Sequence, residues 1–342
     1  MLALVKTAPG TGHLELQEVP DPTPGPGQVL IEVAATGLCG TDLHIYLGEY
    51  RCTPPVVLGH EVAGTIAAVG PGVTRLHVGD RVTTETYFAT CGRCRYCRSG
   101  RPNLCPDRRS IGTHVNGGFA RYLVMPEERV HRLPDNVDLI AGALTEPLAC
   151  CLHNLLDMAG VQPGDVVVIS GPGTIGLLCL QVARAAGATT VVLGVDGDET
   201  RFALARDLGA DYVLNVQRED AQALVQSLTD GLGADLTVEA AGAGASLRQC
   251  LDLVRRGGTV AQIGLYGQPV TVDMNQVALK ELRVVGSFAH VPTAWPRALQ
   301  LLSRGLVQTR PLVTHQFPLT RWEEAFQTFT SRAAGKIVLL PV

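Results

Sequence analysis

Lysine is almost missing from this chain of 342 residues: Lys6, Lys280 and Lys336 are the only three, and the other basic residues are arginines. Basic residues number 28 against 32 acidic ones, a net charge of −4. A chain without a basic excess has no electrostatic footprint for nucleic acid or for an anionic membrane, and neither is expected as a partner. No run of about 18 apolar residues occurs, so no membrane span is expected. The N-terminal stretch MLALVKTAPGTGHLELQ has no basic start followed by a long apolar segment. No export signal is therefore expected, and the cytoplasm is the expected location. Internal repeats and low-complexity tracts are also lacking. Charged residues make up only 18% and apolar ones 46%, which excludes disorder and supplies a sizeable core. The length suits two domains, or one domain with a large insertion.

Glycine and proline are plentiful, and they punctuate the first third of the chain. Val29–Ala34, Gly64–Val69 and Arg81–Thr84 are short apolar segments bounded by turn residues such as Pro24 to Gly27, Gly70 to Gly72 and Gly79-Asp80. Short strands between such turns predict a β-rich unit. The rhythm changes near Gly164. Val166–Ser170 is a continuous apolar run, as a buried parallel strand requires. Ile175, Leu178, Cys179, Val182, Ala183 and Ala186 then recur at helical spacing up to Gly187. The alternation continues with strands at Thr190–Val195, Tyr212–Leu214, Leu236–Ala240, Thr259–Gly264 and Arg283–Phe288. Helices are expected from Glu199, over Asp220–Leu228 and over Leu247–Arg255. Six strands alternating mostly with helices predict a doubly wound parallel sheet. A helix at Pro296–Arg304 and a closing strand at Lys336–Leu340 need another sheet, most simply that of the first domain.

Gly171-Pro-Gly-Thr-Ile-Gly176 is a GxGxxG that follows a predicted strand and opens a predicted helix, and Asp196 stands 20 residues beyond Gly176. In that context the pattern predicts a dinucleotide site rather than an ordinary strand–helix turn. Gly171 permits the tight turn, Gly173 lets backbone amides approach a pyrophosphate, and Gly176 permits close helix–strand packing. Asp196 can accept from the ribose hydroxyls of NAD and repels a 2′-phosphate, so NAD is expected over NADP. Arg201 is the counterweight, able to hold either ribose or phosphate.

Ten cysteines in a chain without an export signal point to thiols or metal rather than disulfides. Cys91, Cys94, Cys97 and Cys105 fall within fifteen residues and can close a tetrahedral zinc site with no open position. The first three spacings and Pro106 faintly echo an iron–sulfur run, but the last gap is seven rather than three. Arg93, Arg95, Arg98, Arg101, Arg108 and Arg109 share this stretch, as charge compensation for the thiolates or as a solvated basic loop. A second group is scattered: Cys39 in GLCGTDLH (37–44), His60 and Glu61 in GHEVAG (59–64), and Glu146 in TEP (145–147). Spacing alone proves nothing for these.

The GHE-x2-G-x5-G segment, the four-cysteine loop, the GxGxxG and the acidic residue after it occur in an order that resembles the zinc-dependent medium-chain alcohol dehydrogenases. CGTDLHIY (39–46) is similar to the threonine dehydrogenases, and TEPL (145–148), PLVTH (311–315) and FPL (317–319) to the sorbitol dehydrogenases. The resemblance spans nearly the whole chain. It implies a GroES-like β-rich catalytic domain with an inserted Rossmann domain, placed at 1–152, 153–289 and a return at 290–342. It implies two Zn2+ per chain. Cys39, His60 and Glu61, with Glu146 directly or through water, are the candidate ligands of a catalytic zinc; the four loop cysteines are those of a structural zinc. Thr41 and His44 are candidates for a proton relay. Candidate coenzyme contacts are Gly171, Gly173, Thr174, Ile175, Gly176, Asp196, Arg201, Ile263, Gly264, Leu265, Ser287 and Phe288.

The expected reaction is oxidation of a secondary hydroxyl of a polyol or sugar-derived alcohol to a ketone, with hydride transfer to NAD. L-threonine 3-dehydrogenase is the enzymatic alternative, and a non-catalytic binding protein that kept the fold is another. Ile45 stands where the sorbitol enzymes tend to have an aromatic residue, and Phe288-Ala-His290 where they tend to have Phe-Arg-Tyr. Phe88 stands where the threonine enzymes tend to have His. His290 is expected to face the substrate, with Ile45 and Phe88 as apolar walls and sorbitol as a poor substrate. A homotetramer or homodimer is the expected assembly.

Overall fold

A computed structural model describes residues 1–331 and 334–341. The chain divides into two compact units: residues 1–146, 291–303 and 313–342, and residues 147–290 with 304–312. The return from 290 onward is thus interrupted, because residues 304–312 group with the second unit.

The first unit is built on strands. Among the described residues its largest sheet has seven, with Gln28–Gly37 at the centre between Glu61–Val69 and the closing strand Lys336–Leu340. Gly37 pairs opposite Glu61 on one side and Val338 on the other. The closing strand thus completes the first unit's sheet from the far end of the chain. Two apolar clusters fill the unit, one around Leu4, Leu38, Ile45, Leu58, Phe119 and Leu339, the other around Ile31, Val62, Ile66, Val82 and Met125. Each such side chain contributes roughly 1.5–3 kcal/mol by leaving water. A short ladder, Tyr87–Ala89 against Arg109–Ser110, closes the base of the cysteine loop.

The second unit is a six-stranded parallel sheet. Its spatial order is Tyr212–Asn215, Thr189–Gly194, Val166–Ser170, Ala234–Glu239, Val254–Gln262, Arg283–Gly286. The chain therefore starts in the middle of the sheet, winds to one edge, returns and winds to the other, as a Rossmann fold does. Val166–Ser170 is buried along its whole length, which its continuous apolar run demands. The fifth strand begins at Val254 rather than near Thr259, with a register irregularity between Ala234 and Leu236 of its neighbour. The helix before it accordingly ends at Leu253. The helices Leu139–Ala143 and Thr145–Leu152 and the π-helix His153–Ala159 carry no periodic signal in their apolar sequence.

Candidate active site

Cys39 ends the loop after the central strand and sits at the N-cap of the short helix Gly40–Tyr46. His60 and Glu61 open the neighbouring strand. Register then brings them together: the ligand atoms of Cys39, His60 and Glu61 all lie within 4.8 Å of one another. Glu146, buried in the first turn of Thr145–Leu152, is outside that convergence.

Two residues that sequence reasoning passed over hold this cluster. Asp42 is fully buried. Its Oδ2 accepts from the Cys39 N–H at 2.9 Å, and its Oδ1 from the Gly59 N–H at 3.4 Å. Oδ1 also lies 3.6 Å from His60 Nδ1, which leaves Nε2 as the nitrogen for a metal. Burial by itself lowers the His60 pKa, but the Asp42 carboxylate and the Cys39 thiolate outweigh it and raise it well above the usual value. The C-x-x-D spacing of a helix N-terminus was the available signal for Asp42.

Lys336 is the second. From the closing strand its Nζ reaches Glu61 Oε1 at 2.5 Å, with both side chains buried. Glu61 and Cys39 overcome the effect of burial and hold the ammonium's pKa above its ordinary value. Glu61 Oε2 is buried without a hydrogen-bond partner. A buried carboxylate oxygen without a donor, beside a thiol and an imidazole, is a metal ligand by its chemistry, and the cluster fits zinc. Gly37 makes the room: a Cβ there would lie 2.0 Å from Glu61 Oε2 and 2.8 Å from Lys336 Cε.

On the adjoining helix, Thr41 Oγ1 lies 3.8 Å from Cys39 Sγ, and His44 Nδ1 lies 2.6 Å from Glu49 Oε2 on the partly exposed side. Glu49 is a further residue that spacing did not single out.

The four loop cysteines also converge, their sulfurs all within 4.8 Å. Backbone amides serve them: Cys94 N–H donates to Cys91 Sγ at 3.3 Å, Cys97 N–H to Cys94 Sγ at 3.4 Å, and Cys91 N–H to Cys105 Sγ at 3.4 Å. Amides of Arg93 and Cys94 lower the Cys91 thiol to about 7, while burial raises Cys97 to about 11. This donor set fits a closed zinc site. The side chains of Arg93, Arg95, Arg98 and Arg109 are exposed, and Arg108 lies over the Tyr87 ring at 5.6 Å. The loop thus carries exposed arginines, and backbone amides donate to its sulfurs.

In the second unit Gly171 takes a φ of +108°, and a Cβ on it would meet the Ala241 backbone nitrogen at 2.7 Å. A Cβ on Gly176 would meet Gly171 O at 1.9 Å. Gly173, the N-cap of Thr174–Ala185, has open space where its Cβ would stand. The first amides of that helix are therefore approachable, and the cradle fits a pyrophosphate. Glu239, fully buried, accepts from the Ala241 and Gly242 N–H groups at 3.0 and 2.9 Å. Its backbone carbonyl accepts from Ile263 and Gly264. Asn154 donates to Gln262 O and to Ser287 Oγ. These two residues fix the strand ends carrying Ile263, Gly264 and Ser287; Leu265 and Phe288 are exposed. Arg201 pairs with Asp198 rather than Asp196.

The alcohol dehydrogenase GroES-like domain profile matches residues 25–135, and the zinc-binding dehydrogenase profile residues 174–304. A relative named sorbitol dehydrogenase, from Halalkalibacterium halodurans, is 44% identical over 100% of both chains. The chain belongs to the zinc-dependent medium-chain alcohol dehydrogenase family. An L-threonine 3-dehydrogenase of Pyrococcus horikoshii is 40% identical over 99% of this chain and 98% of its own. A Sinorhizobium meliloti protein described as a zinc-binding dehydrogenase, solved bound to NADP, is 34% identical with a TM-score of 0.90 over 99% of both chains. The chain is thus a dehydrogenase that uses zinc and a nicotinamide coenzyme, on a GroES-like domain and a Rossmann sheet.

Three further residues were expected near the substrate. Ile45 is 1% exposed and belongs to the first unit's apolar core. Phe88 packs on the second apolar cluster of that unit. His290 is fully buried.

Proposed function

We propose that this enzyme oxidises a secondary hydroxyl of a polyol or sugar-derived alcohol to a ketone, with NAD as the preferred hydride acceptor. The observation that carries the reading is the convergence of Cys39, His60 and Glu61, with Glu61 Oε2 buried and unpartnered, in a chain that also holds the glycine cradle. Cys39, His60 and Glu61 would hold the catalytic zinc, with Glu146 reaching it through water, and Cys91, Cys94, Cys97 and Cys105 a second, structural zinc. When bound, zinc supplies a Lewis acid that lowers the pKa of an alcohol, and the nicotinamide supplies the hydride acceptor. The chain's own part is to move the proton. The Thr41 hydroxyl accepts it from the substrate hydroxyl, and His44 passes it to Glu49 and so to solvent. Asp42 fixes the His60 tautomer, and Lys336 holds one oxygen of Glu61 so that the other is available.

Support for a polyol comes from the sorbitol dehydrogenase relative and from the polarity of a site with a thiolate, an imidazole and two carboxylates. Because Ile45 lies in the core and His290 is fully buried, their departure from the sorbitol pattern does not argue against sorbitol, which heads the test panel. The threonine dehydrogenase relative and CGTDLHIY favour threonine as the second reading. The test is kcat/KM with NAD across sorbitol, other polyols, aldonates, threonine and 2-butanol. A vicinal polyol should lead; a clear lead for threonine or 2-butanol overturns the assignment. A cytoplasmic homo-oligomer is part of this proposal. The edge strand Arg283–Gly286 pairs on one side only among the described residues, and Val284, Leu279 and Met274 are exposed around it, an edge that a second copy would cover.

A further inference from the structure

A cation sits beside Asp196 that the dinucleotide motif does not account for. Asp196 lies two residues beyond the strand Thr189–Gly194. Its Oδ1 is 2.8 Å from Arg218 Nε and accepts from Asn215 Nδ2 at 2.6 Å, while its N–H donates to Gln217 Oε1 at 2.7 Å. Asn215, Gln217 and Arg218 all come from the end of the adjacent strand Tyr212–Asn215 and the turn that follows it. Arg201 is committed elsewhere, with Nη1 on Asp198 Oδ1 at 3.0 Å and a largely buried side chain. The basic partner of the acidic residue is therefore Arg218.

We infer that Arg218 is a coenzyme-specificity residue, and that the Asp196–Arg218 pair lets this enzyme bind a 2′-phosphorylated coenzyme as well as NAD. The inference rests on the nicotinamide reading above and refines it. A lone carboxylate at this place repels a 2′-phosphate by like charge. The pair here carries no net charge, so that repulsion is offset. Both partners are exposed, at 50% and 68%, and a solvated surface pair is weak and readily exchanged. Arg218 engages Asp196 through Nε and leaves both η nitrogens unpaired among the described residues. A phosphate dianion offers three acceptor oxygens to that planar fork, where Arg218 now meets one carboxylate oxygen, Asp196 Oδ1. With a free ribose, Asp196 is the acceptor for the hydroxyls; with a 2′-phosphate, Arg218 is the donor. Asp198 is neutralised by Arg201, and Glu199 is a further negative group that acts on Arg218.

The test measures binding of ADP and of 2′,5′-ADP to the full chain by calorimetry, with Arg218→Gln and Asp196→Asn beside the wild type. Both sites are exposed, so all three proteins should melt alike. The wild type should bind both nucleotides. Arg218→Gln should weaken 2′,5′-ADP by about tenfold or more, the worth of a lost charge-assisted hydrogen bond, and leave ADP within about threefold. Asp196→Asn should weaken ADP and strengthen 2′,5′-ADP. Wild type that binds ADP but not 2′,5′-ADP, or an Arg218→Gln variant that weakens both alike, overturns the inference and leaves the coenzyme site standing. Wild type that binds neither nucleotide overturns the coenzyme reading with it.

Discussion

A lysine ammonium persists in a protein interior only where acceptors meet it, and Lys336 meets the carboxylate of Glu61. The three lysines of this arginine-rich chain all have structural partners. Lys6 donates to the carbonyls of Gly10 and Gly12, and Lys280 to those of Leu251, Asp252 and Val254. Only Lys336 faces a candidate metal ligand. Lys336→Met should lower the stability of the metal-free protein by about 3–5 kcal/mol, because it leaves a buried carboxylate unpaired. Zinc should restore most of that loss, since a dication neutralises Glu61 in the lysine's stead. Urea melts with and without zinc check this, and equal losses in both would show that Lys336 acts on the fold and not on the charge of Glu61. The sign of the pH dependence follows from the raised pKa. The pair's contribution is fully present below the unfolded lysine value and is lost as pH rises through the higher folded value. Neutral solution therefore leaves it intact.

At the scale of elements, the site is a consequence of register. Gly37 opposes Glu61 across the central ladder, and a single methyl at position 37 would collide with Glu61 Oε2. Gly37→Ala should therefore displace the Glu61 carboxylate, reduce zinc content toward one per chain and destabilise the protein by about 1–3 kcal/mol. Metal analysis with a thermal melt tests it, and an unchanged zinc content would remove Glu61 from the ligand set. Register also explains what could be read in advance. Val166–Ser170, Thr174–Ala185 and the strands after them were legible because a buried strand and a helix with apolar residues at helical spacing write their pattern into contiguous residues. The cysteine loop was legible because its ligands are local. Arg218 and Lys336 were not, since each meets its partner only in the fold; for Lys336 that partner lies 275 residues away. Asp42 and Glu239 bond amides two or three residues off, and the fold adds their distant neighbours, Gly59 and His60 for the one and Ile263 and Gly264 for the other. Ile45 and His290 entered through the family resemblance, and both are buried in the fold.

At the scale of the whole molecule, the two cysteine-bearing sites should respond differently to the same change. Cys39 sits among three converging ligands whose partners, Asp42 and Lys336, are satisfied within the fold even without metal. In the loop from Cys91 to Cys105 the helix Arg95–Arg98 has four residues and buries none, Pro102, Asn103 and Cys105 are buried, and the base is the short Tyr87–Ala89 ladder. A zinc held there by four thiolates would contribute folding energy to the loop. Cys39→Ser should accordingly abolish activity and one zinc while the protein still melts cooperatively. Cys97→Ser should lower the melting temperature or expose the loop to protease even where the first zinc is retained. Zinc per chain, dehydrogenase activity and limited proteolysis measured on the two variants separate these outcomes. A fully active wild type with one zinc per chain, or iron and sulfide in the loop, would overturn the assignment of two zinc sites, because an active protein with an empty loop would mean that the first unit holds its shape without the second metal.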